Sequence, residues 1–184
     1  MTAADDDAIA PAPLEHLARP LEWFTAEHRR HREFCRRLTD AARTVTFDGP
    51  ALAALAGFIR HDLTLHVLEE EEDLFPFLRR RARPEDAIDE ALDRLSAEHR
   101  ADEVSAQVVL AHLDACLEAR TAPGAGAGAR QALVDFASRE LRHLALENAV
   151  VLPIARLRLS PGDLRKLSRK LAARRGVRLD AVGA

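Results

Sequence analysis

The sequence predicts an all-α protein, an up-down-up-down four-helix bundle built from a duplicated helical hairpin, with a short C-terminal helix. Three observations predict it. Aromatic residues are scarce, with seven Phe, one Trp and no Tyr, Ala and Leu dominate, and β-branched runs are missing, a balance that favours helix over strand. Apolar residues step by three and four through four long segments. The figure His66-Val67-Leu68-Glu69-Glu70 followed by Pro76 returns as His143-Leu144-Ala145-Leu146-Glu147 followed by Pro153, so each half of the chain carries one copy. A chain of 184 residues suits one domain with a real core.

Residues 1–13 are Ala, Asp and Pro with almost nothing to bury and read as a disordered tail. Residues 14–159 read as the bundle, and 160–184 as a short basic helix and tail. Leu14 to Arg19 suits one extra turn, and Pro20 supplies a natural first position for a helix to about Val45, with Leu21, Phe24, Cys35, Leu38, Ala42 and Val45 on its stripe. His28 and His31 share that stripe. Phe47-Asp48-Gly49-Pro50 separates it from a second helix, which reads to about Arg81 through Leu52, Ala56, Ile59, Leu63 and Phe77, with His66 and Glu70 interrupting. After Ala82-Arg83-Pro84 a third helix runs to about Arg120 on Ile88, Leu92, Leu95, Ala106, Val109, Leu113 and Cys116, with His99 and Asp102 on its stripe. Residues 122–129 alternate Gly and Ala and read as a flexible surface loop. A fourth helix from about Arg130 carries Leu133, Phe136, Glu140, His143, Glu147, Val150, Ile154 and Leu157 in step. Ser160-Pro161-Gly162-Asp163 then caps a short helix on Leu164, Leu167 and Leu171, a brace on the bundle that ends near Gly176.

The polar residues within these stripes carry the chemistry. A His and a Glu four apart in a helix lie about 40° apart on one face and about 6 Å along the axis, within reach of one metal ion. A buried carboxylate costs several kcal/mol unless paired or metal-bound, so Glu70 between Leu63 and Phe77 points to ligation. A shift of 71 residues lays His28 on His99, and one of 77 lays His66 on His143 and Glu70 on Glu147. Four helices packed with their stripes inward would bring together His28, His66, Glu70, His99, His143 and Glu147. Six such donors suit two ions better than one, with Glu70 and Glu147 bridging metals about 3.5 to 4 Å apart. Imidazole and carboxylate together suit iron, zinc or manganese. His31 and Asp102 are repeat partners that stand as orienting groups or extra ligands, and Glu103 as a possible seventh donor. His16, His61 and His112 read as surface or satisfied residues, and Glu69, Glu71 and Glu72 as a solvated face.

Charge and composition exclude other classes. A net charge of -3 and a pI near 6.2 argue against nucleic acid as a partner. No window is expected to offer the roughly 18 apolar residues that cross a bilayer, and the acidic start is unlike a secretory signal, so neither a membrane partner nor export is expected and a cytoplasmic location follows. Two cysteines, Cys35 and Cys116, are too few for a disulfide scaffold and read as small core thiols.

The ordered figure of His28, His66-x-x-x-Glu70, His99 and His143-x-x-x-Glu147, with the dipeptides Glu27-His28 and Glu98-His99, resembles the hemerythrin-like family, or HHE cation-binding domain, over roughly Pro20 to Leu159. The resemblance implies a non-haem di-iron centre, carboxylate- and oxo- or hydroxo-bridged, whose partners are small diatomic or peroxide ligands. Oxygen-carrying members place a further His one turn after the third-helix ligand, where this sequence has Glu103. Four His and two Glu are more like the iron-centre repair proteins and other bacterial members linked to nitric oxide, peroxide or oxygen under oxidative or nitrosative stress. Two classes stay open: an enzyme reacting with such molecules, or a protein that carries, senses or donates iron or a diatomic gas. With Glu103 in a low-dielectric core the centre is expected to oxidise irreversibly in air.

Overall fold

The computed structural model describes residues 9–179. Among these the structure is helical without a strand, as the composition predicts. A 3-10 turn at Leu14–Ala18 precedes α1 (Pro20–Arg43), which begins on its proline. Helix α2 (Gly49–Arg81) is capped by Asp48, whose Oδ1 accepts from Ala51 N at 3.1 Å, with Pro50 in the first turn. Helix α3 (Ile88–Ala119) follows a 3-10 turn at Pro84–Asp86, α4 covers 127–158, and α5 is Pro161–Arg174. The Ser160/Asp163 capping box is formed: Asp163 N donates to Ser160 Oγ at 3.2 Å and Ser160 N to Asp163 Oδ2 at 3.1 Å.

The chain divides into two compact units, and helices α1, α2, α3 and α4 each contribute one segment to both. The first unit contains 30–64 and 98–143 and packs four helical segments around Phe34, Cys35, Leu38, Leu55, Phe58, Leu113 and Phe136. Phe34 stacks on Phe58 at 4.6 Å and meets Phe136 edge-on at 6.5 Å. The second unit contains, among the described residues, 11–29, 65–97 and 144–179 and packs its four segments, with α5, around Leu17, Trp23, Phe24, Leu74, Phe75, Leu78, Leu92, Leu152, Leu167 and Leu171. The expected four-helix organisation therefore exists within each unit.

Three expectations change. Of the segment 1–13, residues 1–8 lie outside the described residues, while Ala12 is buried against the second core and Ala10 O accepts from Arg30 Nε at 2.8 Å. The Gly/Ala stretch 122–129 is partly structural: Ala122, Pro123 and Gly124 are buried, and a Cβ at Gly124 would stand 2.0 Å from the Ala42 carbonyl oxygen, so only glycine allows this approach. Its last residues begin α4 at Ala127. Finally, α2 does contain an 18-residue window long and apolar enough by composition to cross a membrane. Of its large apolar side chains, Leu52, Leu55, Phe58, Ile59, Phe75 and Leu78 are buried, whereas Leu68 is exposed.

Candidate metal centre

In the second unit Glu70 and Glu147 lie where α2 and α4 widen from α-helix to π-helix. The widened turns are Glu69–Leu74 and Glu147–Val151, each running up to the turn that holds the proline, Pro76 or Pro153. Proline lacks the N–H that would close the α-helical ladder and its ring crowds the preceding turn, and an i→i−5 turn accommodates both. A third π segment, Phe58–Leu63, follows Gly57 in α2. The proline six residues after each glutamate is therefore a local reason for the backbone to open at that glutamate.

Four sequence-predicted residues converge there. His28 Nε2 lies 3.5 Å from Glu70 Oε1 and 3.5 Å from Glu147 Oε2, and His66 Nε2 lies 3.3 Å from Glu70 Oε1. Ligand atoms of all four lie within 4.8 Å of one another, and no side chain among them is more than 3% exposed. The His28 and His66 rings meet edge to face at 5.2 Å, and Phe24 lies 6.5 Å and 6.2 Å from them, an apolar wall that keeps water away. Burial pulls the His28 imidazole down, but the Glu70 and Glu147 carboxylates outweigh it and the net effect is upward. Two carboxylates this close in a buried core call for a compensating positive charge, and these four residues could hold a metal cation that would supply it while using the imidazole lone pairs.

The other two predicted residues lie in the first unit. The rings of His99 and His143 are 4.6 Å apart, tilted by 44°, with His143 buried and His99 half-buried. Glu98 Oε2 accepts from His143 Nδ1 at 3.1 Å, which favours the Nδ1–H tautomer and leaves the Nε2 lone pair available to a metal. His31 is buried edge-on to Phe58 at 4.9 Å. Asp102 Oδ1 accepts from Arg139 Nε at 2.9 Å. Glu103 is exposed, so it is neither a seventh donor nor a charge in a low-dielectric core. The expectation of air oxidation driven by Glu103 falls with it.

A family model of the hemerythrin HHE cation-binding domain matches residues 19–155. The chain belongs to this family. No match was found among curated proteins. In this hemerythrin-like chain the match spans α1, α2 and α3, runs through α4 to residue 155, and stops before α5.

What the stripe missed is a set of buried acids beside the cluster. Glu69, expected on a solvated face, is fully buried: Trp23 Nε1 donates to its Oε2 at 3.1 Å and the Arg175 guanidinium reaches it at 3.1 Å. Burial pushes the Glu69 carboxyl up to about 7, against the opposing pull of Arg175 and Trp23. Asp73 is buried too and accepts from Lys170 Nζ at 2.8 Å and Arg174 Nε at 2.5 Å. Burial raises the Asp73 carboxyl, but the two cations outweigh it and hold it below the usual range. Glu27 is fully buried and pairs with Arg175 at 3.7 Å. Only Glu72 of the acidic run is exposed, with Glu71 half-buried. His61 is exposed as expected, and His112 is satisfied by the Pro123 carbonyl at 2.8 Å. Cys35 and Cys116 are free and buried.

Proposed function

We propose that this hemerythrin-like chain binds two non-haem iron ions through His28, His66, Glu70, His99, His143 and Glu147, and that it reacts with or responds to oxygen, nitric oxide or peroxide. The single observation that carries the proposal is the buried group of His28, His66, Glu70 and Glu147, with two imidazoles and two carboxylates whose ligand atoms lie within 4.8 Å of one another. That donor set has the charge and hardness that suit iron. Bound reduced iron supplies electrons to small oxidants. The chain's own residues do the rest: Glu70 and Glu147 supply negative charge, Glu98 orients His143, and Phe24 keeps the cluster dry. The two buried free thiols support a reducing compartment, and we place the protein in the cytoplasm.

Protein purified without air and exposed in turn to oxygen, nitric oxide and peroxide tests the reading. The expected result is an iron-dependent change in the visible spectrum with at least one of the three, absent in Glu147→Ala. A spectrum unmoved by all three would contradict it.

A further inference from the structure

His66 turns Nε2 toward Glu70 at 3.3 Å, which leaves Nδ1 on the other side of the ring. A carboxylate oxygen of Glu27 and a ring nitrogen of His66 lie within 4.8 Å. Glu27 stands 71 residues before Glu98 and His66 stands 77 before His143. The pair Glu27/His66 is thus the duplicate of the pair Glu98/His143, whose hydrogen bond measures 3.1 Å. The Glu27 carboxylate is also held by Arg175, at 3.7 Å. The same guanidinium reaches Glu69 at 3.1 Å and lies 4.3 Å over the Trp23 ring. Arg175 follows α5, outside the matched family region. Helix α5 is docked through Leu167, Leu171 and Ala172 and through the Asp73 ion pairs, so it delivers the guanidinium to a fixed place.

We propose that Arg175 is a positioning residue for the metal centre: it holds the Glu27 carboxylate, and Glu27 in turn holds the His66 ring with Nε2 toward the metal. The inference rests on the metal-binding role proposed above. Arginine suits the task because its Nη2 meets both carboxylates while the flat face of the guanidinium stacks on an indole, a planar stacking that a lysine ammonium does not reproduce. Partners that fix a metal-bound imidazole typically change metal affinity by about 10- to 100-fold when removed.

The test uses the full chain as Arg175→Met, Arg175→Lys and, as a control that loosens α5 elsewhere, Arg81→Met, which breaks the 2.8 Å Arg81–Asp163 pair. Two quantities are read: the rate of iron release to a chelator, and the exchangeable imidazole N–H proton signals of the cobalt(II)-loaded protein. Arg175→Met is expected to release iron about tenfold faster or more and to lose the His66 Nδ1–H signal while keeping that of His143. Arg175→Lys should fall between it and wild type, and it decides the matter should Arg175→Met not fold. Arg81→Met should match wild type in both. Wild-type release and signals in the Arg175 variants, or equal losses in Arg81→Met, would overturn the inference and leave metal binding standing. A wild-type chain that takes up neither iron nor cobalt would overturn the metal-binding role and this inference with it.

Discussion

Glu98 accepts the Nδ1–H of His143 at 3.1 Å across 45 residues of sequence, so a carboxylate on α3 sets which nitrogen of an α4 imidazole keeps its lone pair, and in the proposed centre that nitrogen would bind metal. Glu98→Ala should therefore weaken metal binding by about 10- to 100-fold while the fold survives, because the lost contact orients a ligand without being one. Chelator competition beside far-ultraviolet circular dichroism checks this. Unchanged affinity would mean that His143 is held by other contacts.

Glu147→Ala removes a carboxylate that His28 Nε2 approaches at 3.5 Å. The metal-loaded wild type should melt above its metal-free form, since a ligand that binds only the folded chain stabilises it, and that increment should collapse in the variant. Calorimetry with and without metal reads the difference. An increment equal to wild type would remove Glu147 from the site.

Glu69 and Asp73, one turn apart, should give the metal-free protein opposing pH dependences. With Glu69 raised from 4.5 to about 7, the folded chain keeps a proton that the unfolded chain has released. Stability from this group is thus full below about 4.5 and is lost as pH rises through about 7, by up to about 3 kcal/mol. Asp73 is lowered from 3.8, so its contribution is full above that value and is lost as pH falls through its folded-state value. Glu69→Gln should flatten the fall in melting temperature between about pH 5 and 8, and an unaltered slope would show that Glu69 does not titrate there.

Arg174→Met combined with Lys170→Met leaves the buried Asp73 carboxylate without its cations. Breaking a buried pair from one side should cost about 3 to 5 kcal/mol, read by urea unfolding. A loss of less than about 1 kcal/mol would place these pairs with weak surface bridges.

Much of this was legible in the sequence because helix periodicity and duplication report the same thing twice. Pro20, the Asp48 cap and the Ser160/Asp163 box mark helix starts by local chemistry, and the structure keeps them. The His-x-x-x-Glu spacing placed His66 beside Glu70, and the repeat placed Glu147 with Glu70. The buried acids were not legible for two reasons. A uniform period of 3.6 residues loses phase across π turns, and α2 contains two of them, so residues around Glu69 and Asp73 sit on faces the stripe does not predict. Their cations also come from α5 and Arg175, about 100 residues later, and no local pattern announces such pairing. Glu103 failed for a different reason: sharing a position with a family ligand does not bury a side chain, and it faces solvent.

The most direct test of the central claim is elemental analysis of the full chain expressed with abundant iron and purified without air. About two iron atoms per chain are expected, because six donors with two carboxylates able to bridge exceed what one ion uses, with most of that iron lost in His66→Ala and Glu147→Ala. One zinc per chain and no iron, or iron retained in full by both variants, would contradict it.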